Sequence, residues 1–156
     1  MLAFVYHARR ELVHPNVTTS PTAAWIWRQL IAATPWGSAP RDLVRDRDAV
    51  YGRDFVGRAR GLGIETLLTP VRAPRANAVA ERLVGTLRRE CLDHAVVVNE
   101  RHLRALLTEF ARFFNQERPH RTPALETPEP IARSTTGAIR ARPVLGGLHH
   151  AYQRAA

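Results

Sequence analysis

Two carboxylates in the sequence lie where a predicted strand ends and where a predicted helix begins. Asp46 directly follows a short apolar run, Leu43-Val44, and Glu81 lies near the start of an arginine-rich amphipathic stretch. Carboxylates at the end of a strand and at the start of a helix are suitable oxygen ligands for Mg²⁺ or Mn²⁺. Such ions activate a water or a 3′ hydroxyl and stabilise the leaving oxygen at a phosphodiester. The pair therefore predicts a divalent-metal site.

Both carboxylates also have simpler interpretations. At about 100° per residue, Glu81 and Arg88 both lie about 90° from the centre of the apolar stripe, at its rim. Glu81 could equally be a solvated side chain in the first helical turn, where negative charge suits the helix dipole. Asp48 competes with Asp46 on the same polar turn. The stripe itself consists of Ala80, Leu83, Val84, Leu87 and Cys91.

The charge of the chain points to a polyanionic partner. The formal net charge is +9, and all 23 basic residues are arginine, with no lysine. Guanidinium groups suit phosphate oxygens, which favours nucleic acid, although a GC-rich genome alone would also enrich arginine. The absence of lysine excludes Schiff-base chemistry and a lysine general base.

The cysteine content and the hydrophobicity of the sequence also indicate where the protein is located in the cell. The single cysteine, Cys91, excludes an internal disulfide, and no paired cysteines indicate zinc. No apolar run is long enough for a membrane span, and residues 1–6 lack the features of a secretory signal. We therefore expect a cytoplasmic, nucleoid-associated protein without a membrane partner.

Strands, then alternating helices and strands, then helices indicate an α/β fold with a mixed sheet. We expect a domain over residues 1–130 and a loose C-terminal tail over residues 131–156, where prolines accumulate and apolar periodicity fades. The predicted strands are Leu2–His7, Leu12–Thr18, Leu43–Val44 and Ile64–Leu68. Four helices are predicted: one that begins at Ser20-Pro21, one from Phe55 to Gly61 or Gly63, one that contains Glu81, and one over Glu100–Gln116.

Four motifs resemble one known family over roughly residues 1–128. They resemble the integrase core of DDE-type bacterial insertion-sequence transposases, relatives of retroviral integrases with a ribonuclease H-like fold. The family spacing between its last two acids is also similar to the 34 residues between Asp46 and Glu81. The motifs are Val44-Arg-Asp-Arg-Asp48 with Tyr51-Gly52, Thr69-Pro-Val-Arg-Ala-Pro-Arg-Ala-Asn-Ala-Val-Ala-Glu81, Arg82-Leu-Val-Gly-Thr-Leu-Arg-Arg-Glu-Cys-Leu-Asp-His94 and Phe114-Asn-Gln-Glu-Arg-Pro-His-Arg121.

The resemblance implies roles for particular residues. Asp46 would be the second and Glu81 the third acid of an Asp-Asp-Glu triad that binds Mg²⁺ or Mn²⁺. Arg88, and with it Arg82 and Arg89, would hold DNA. The implied reaction is DNA integration or transposition by hydrolysis or transesterification, without a covalent enzyme intermediate. The implied partners are transposon ends, target DNA and further copies of the chain.

The chain departs from the family at its first acid. That aspartate lies on the first strand, which is central in the ribonuclease H-like sheet, between the second and fourth strands. Here no aspartate precedes Asp42, and Glu11 lies in an apparent hairpin turn. We therefore expect a core that is incomplete at its N-terminus, lacks the first strand and is impaired as an enzyme on its own. The alternatives are a non-enzymatic DNA-binding or assembly remnant and a ribonuclease of the same fold.

Five other side chains invite functional interpretations. His149 and His150 could bind a metal, but they fall in the predicted tail. His120 would contact phosphate or cap the last helix. Trp27 has the periodicity of a core residue rather than of a base-stacking platform, and Cys91 lies on the apolar stripe, where a buried structural thiol is expected.

Overall fold

The computed structural model describes residues 1–35, 37–70, 77–120 and 126–155 and divides the chain into two compact units. The terminal unit combines Met1–Val17 with Arg82–Ala156, and the central unit is Thr18–Glu81. None of the described helices has both the length and the apolar character that crossing a bilayer requires. The elements are β1 (Leu2–Tyr6), β2 (Glu11–Asn16), α1 (Ala23–Ala33), β3 (Asp42–Arg45), α2 (Phe55–Gly61), β4 (Glu65–Leu68), α3 (Ala78–Glu90), α4 (Glu100–Gln116), β5 (Ile139–Val144) and β6 (His149–Arg154).

Helix α4 supplies the largest apolar face of the terminal unit. It begins where the Asn99 side chain accepts a hydrogen bond from the His102 amide at 2.8 Å, which satisfies one of the free N–H groups of the first turn. Its bounds are those that the apolar periodicity predicts. The residues of this face that are buried are Leu107, Phe110, Phe113 and Phe114.

Strand β2 is fixed to α4 by one buried side chain. The Asn115 carboxamide accepts a hydrogen bond from the Leu12 amide at 2.9 Å and donates one to the Leu12 carbonyl at 3.0 Å. These are the two bonds that a neighbouring strand would otherwise make. The Leu12 side chain then packs in the same core as α4. The antiparallel pair of β1 and β2 is thereby held on the helix.

The end of α3 is tied to the end of α4 by a two-pronged ion pair. Arg118 donates from Nε and Nη2 to the two carboxylate oxygens of Glu90, each at 2.6 Å. Both side chains are partly shielded from water, and the parallel fork geometry is the strongest that this pair can adopt. Two residues further along, the buried His120 ring donates from Nε2 to the Phe114 carbonyl at 2.9 Å. Of the two roles expected for His120, this contact supports capping of the last helix.

The C-terminal segment is a hairpin where a loose tail was expected. Strands β5 and β6 pair antiparallel, and Val144, Leu145 and Ala151 are buried in the core that contains α4. The His149 ring stacks on Phe113 with a centroid distance of 4.7 Å. The expectation failed because the outward residues of the hairpin are polar and short-range periodicity is weak, while burial depends on α4, which is distant in sequence. The domain boundary at residue 130 stays a prediction.

The central unit contains the helices α1 and α2 and the parallel strands β3 and β4, and α2 packs against β4. Helix α1 begins at Thr22, whose hydroxyl accepts from the Trp25 amide at 3.1 Å; this is two residues after the start expected at Ser20. Trp27 meets the Phe55 ring edge-on at 6.3 Å, which supports the packing role expected for it. The buried apolar residues of this unit are Ile26, Leu30, Phe55, Ala59 and Ile64.

The α/β class is confirmed, but the described strands do not form one mixed sheet. They form three separate two-stranded sheets, antiparallel for β1–β2, parallel for β3–β4 and antiparallel for β5–β6. In the described residues β1 and β3 each have one unpaired edge. Such edges carry free N–H and C=O groups that can accept a further strand.

Replacing Asn115 tests how much the bond to β2 contributes. Asn115→Ala leaves the Leu12 N–H and C=O without partners, so we expect a loss of about 2–5 kcal/mol in the free energy of unfolding, since each unsatisfied buried group costs about 1–3 kcal/mol. Urea titration followed by circular dichroism measures this loss, and hydrogen exchange at the Leu12 amide reports it locally.

Asn115→Asp is the matched control for this prediction. It keeps the acceptor for the Leu12 amide but cannot donate to the Leu12 carbonyl, so it should also be destabilising. Exchange at Leu12 as slow in Asn115→Ala as in the wild type would contradict the assignment.

His120 makes stability depend on pH. Burial lowers the pKa of His120 below its usual range, although its bond to the Phe114 carbonyl acts in the opposite direction; Arg118 lowers it further. The unfolded chain binds the proton of this histidine more readily than the folded one. The contribution of neutral His120 to the free energy of unfolding is therefore present above about pH 6.5 and is lost as pH falls through the lower pKa of the folded state. His120→Gln can still donate a hydrogen bond but cannot titrate. We therefore expect its free energy of unfolding to fall less between about pH 7.5 and about pH 5 than that of the wild type. Equal losses in both proteins, measured by urea unfolding, would contradict this role.

Candidate functional site

Asp46 lies at the C-terminal end of the parallel strand pair. It follows β3 directly and is exposed, and one carboxylate oxygen accepts a long hydrogen bond, 3.3 Å, from the Asp48 amide. The same loop is joined to the end of β4, because Arg47 Nε donates to the Thr69 carbonyl and the Thr69 amide donates to the Arg45 carbonyl. Ligands of parallel sheets gather at this end of the strands. The position fits the site expected for Asp46.

Asp48, the competing candidate, has a structural role of its own. Its carboxylate accepts from the Val50 amide at 2.9 Å and caps the single 3₁₀ turn Ala49–Tyr51. A capping carboxylate gives up part of its capacity as a ligand, whereas Asp46 accepts only the long bond from Asp48 among the described residues. This difference favours Asp46, and the choice between the two stays a prediction.

The turn after Asp48 also explains the Tyr51-Gly52 part of the motif. Gly52 has a φ of +75°, and a Cβ there would lie 2.9 Å from the Cβ of Ala23, so the close approach to α1 requires glycine. Burial raises the pKa of Tyr51 to about 12, helped by the Asp46 carboxylate and opposed by Arg45. Tyr51 is therefore a neutral phenol at physiological pH, and its ionisation reports the charge on Asp46.

Glu81 lies in the first turn of α3. Its side chain is exposed, and it makes no hydrogen bond or ion pair with another described residue. Leu83 and Leu87 of the predicted stripe are buried on α3. Val84 was also predicted to belong to the stripe, but it is 43% exposed, so that part of the prediction is wrong. The carboxylate is thus presented to solvent.

The three arginines expected to hold DNA are exposed on α3. Arg88 donates from Nε to the Asp93 carboxylate at 3.2 Å, and both side chains are well solvated. Such an exposed pair is worth at most about 1 kcal/mol, so it can open for a phosphate. Arg82 and Arg89 form no ion pair with a described residue. Their contact with DNA stays a prediction.

The available donors suit a divalent ion only in part. Asp46 and Glu81 offer hard carboxylate oxygens, and Mg²⁺ is commonly held by one or two carboxylates together with waters and substrate phosphates. In the described ranges, no three or more histidine, cysteine or acidic side chains are gathered in a way that could hold a metal. His149 donates to the Glu90 carbonyl at 2.7 Å, which gives it a structural role. Residues 71–76 of the second motif, and Arg121 of the last, lie outside the described residues.

Sequence reasoning gave no role to a cleft beside Asp46. The cleft has a volume of about 470 Å³, and its lining includes Arg45, Arg47 and Arg53. The only sequence signal was the alternation of arginine and aspartate after the strand. That alternation does not show which side chains turn toward a common space.

Changing Asp46 should change the ionisation of Tyr51. With the wild-type pKa near 12, the Tyr51 phenol stays mostly protonated at about pH 11. Asp46→Asn removes a neighbouring negative charge, so the pKa should fall. The ¹³Cζ chemical shift of Tyr51 measures it, with Tyr51→Phe for assignment.

Asp42→Asn is the matched control for this titration, since Asp42 is an exposed acid at the other end of β3 and does not perturb Tyr51. Equal shifts for Asp46→Asn and Asp42→Asn would show that Tyr51 does not sense Asp46.

Comparison with known proteins supports the resemblance. The sequence model described as "Integrase core domain" matches residues 62–128. The chain is also 29% identical over 143 residues to the "Insertion element IS476 uncharacterized 39.2 kDa protein" of Xanthomonas euvesicatoria. That alignment covers 90% of this chain but only 41% of the relative's length. No solved structure matches. The segment matched by the family contains Glu81 and the three arginines of α3, whereas Asp46 precedes it.

Proposed function

We propose that the chain serves DNA transposition by metal-dependent phosphoryl transfer, because residues 62–128 match the integrase core domain model and the chain is similar to an insertion-element protein. The observation that carries this proposal is Glu81, an exposed carboxylate without a described partner, in the first turn of a helix inside the matched segment. Arginines follow it on the same helix. This arrangement supports a role for Glu81 as a metal ligand next to bound DNA.

In this proposal one group of residues binds the metal and another binds DNA. Asp46 and Glu81 bind Mg²⁺ or Mn²⁺, and a bound ion would activate the attacking water or 3′ hydroxyl and stabilise the leaving oxygen. Arg82, Arg88 and Arg89 hold backbone phosphates, which positions the strand but does not read its sequence. Recognition of particular transposon ends is then left to other parts of the assembly.

The fold and assembly of the active enzyme are part of the same proposal. A ribonuclease H-like sheet needs a further strand, and the unpaired edges of β1 and of β3 can each accept one. We propose that the first acid of the triad comes from outside residues 1–156, since no aspartate precedes Asp42. Several copies would act together to join two DNA ends.

Binding of Mn²⁺ tests the metal site independently of activity. Mn²⁺ should broaden the amide resonances near Asp46 and Glu81 in NMR spectra. Asp46→Asn and Glu81→Gln should each weaken that binding at least tenfold, since even changes around a metal's direct ligands cost about 10–100-fold. Glu65→Gln removes an exposed acid elsewhere in the central unit and should leave the broadening unchanged.

Strand cleavage then separates an enzyme from a remnant. With Mg²⁺ or Mn²⁺, and with the first acid supplied from outside residues 1–156, the wild type should nick supercoiled DNA. Asp46→Asn and Glu81→Gln should each abolish nicking while DNA binding is retained. The second candidate is a non-enzymatic DNA-binding remnant. It would bind DNA in a salt-sensitive way, and neither metal nor the two substitutions would change nicking. Cleavage of RNA–DNA hybrids alone would indicate a ribonuclease instead.

A further inference from the structure

The cleft beside Asp46 is lined by more positive than negative charge. Arg45, Arg47 and Arg53 contribute three guanidinium groups, and Asp48 is the one carboxylate among the described residues that line it. The Asp48 carboxylate already caps the following turn through the Val50 amide. Three guanidinium groups against one carboxylate leave the lining with a net positive charge, so its field favours an anion.

Arg45 is held in place before any ligand arrives. Its guanidinium carbon lies 4.6 Å from the centre of the Tyr51 ring and 5.6 Å from that of Phe55, and Nη1 donates to the Asp46 carbonyl at 3.0 Å. Cation–π contacts of this kind fix the planar group. Its Nε is buried without a hydrogen-bond partner among the described residues, which is unusual for a buried donor. A cation that is already fixed adds positive charge at the cleft and loses little further freedom when an anion binds nearby.

The other two arginines extend outward from this fixed group. Arg47 is exposed, and Nε makes only a long bond, 3.3 Å, to the Thr69 carbonyl. Arg53 is exposed and pairs with no described acid. Both can therefore turn toward an oxyanion, and their planar forks match phosphate geometry. Asp46 lies between Arg45 and Arg47 in the chain, so an anion in the cleft would be next to the proposed metal ligand.

We propose that this cleft is a second DNA-backbone site, in which Arg47 and Arg53 contact phosphates and Arg45 is the fixed cation at its base. It adds residues of the central unit to the arginines of α3. The identity of the anion as DNA rests on the proposed function, but binding in the cleft does not require a metal. The site would hold the strand whose phosphodiester reaches Asp46.

Salt-dependent DNA binding without divalent metal tests this site. Fluorescence anisotropy with a labelled duplex in EDTA gives the affinity over a range of salt concentrations. Arg47→Gln and Arg53→Gln should each reduce the slope of log affinity against log salt by about 1 and weaken binding roughly tenfold at about 50 mM salt. Because both side chains are exposed, neither substitution removes core contacts, and circular dichroism verifies the fold.

Arg60→Gln is the matched control, since Arg60 is an exposed arginine of α2 outside the cleft. It should change the slope by much less than the cleft substitutions. Equal effects of all three would show that only the overall charge matters and would overturn the proposal, as would unchanged slopes in both cleft variants. Displacement of DNA by inorganic phosphate beyond the effect of chloride at equal ionic strength would assign the cleft to free phosphate instead.

The outcome can be separated from that of the proposed function. If nicking is absent but the cleft variants lower the salt slope and Arg60→Gln does not, the cleft is a DNA site in a protein without catalysis. If nicking requires Asp46 and Glu81 while the cleft variants bind DNA like the wild type, the function stands and the cleft proposal is overturned.

Discussion

The exchange of two hydrogen bonds between the Asn115 carboxamide and the Leu12 backbone is the constraint on which the terminal unit depends. A two-stranded sheet is marginal in water by itself, so β1 and β2 need a helix to cover them. Asn115 provides backbone-like bonds from the helix and places Leu12 in the aromatic core. Arg118 then fixes the end of α3 to the same helix through Glu90. Asn115, Arg118 and His120, three residues of the last motif, therefore make polar contacts that support packing. These contacts account for the three side chains without DNA.

The arginines of this chain fall into two groups with different consequences. Some are committed to structure: Arg118 binds Glu90, Arg142 binds Glu117, and Arg104 binds Glu100 and the end of β2. Others are exposed and pair weakly or not at all with described acids, including the three arginines of α3 and Arg47 and Arg53 of the cleft. Only the second group can contribute to a phosphate site without loss of folding contacts. The net charge of +9 therefore indicates the class of partner but not the surface that binds it.

The C-terminal hairpin and α3 show where sequence reasoning reached its limit. Residues 139–154 alternate polar and apolar side chains only weakly, yet Val144 and Ala151 are buried because α4 covers one face of the hairpin. On α3 the helical period identified Leu83 and Leu87 correctly but included Val84, which is largely exposed. A period shows which residues share a face, but the width of the face that is covered depends on the partner element.

The sequence by itself determined the local elements and the pair of candidate acids. The periodicity of α4 acts along one helix, so it can be read without knowing the rest of the fold. Tertiary structure alone decided which polar groups form hydrogen bonds or ion pairs within the protein and which remain free to bind a ligand. The partner of Asn115 is 103 residues away, and that of Arg118 is 28 residues away. Such pairings have no local signature, because they depend on how the chain folds back on itself. The cleft has no local signature for the same reason. Its arginines line one space only when the loop after β3 folds next to α2.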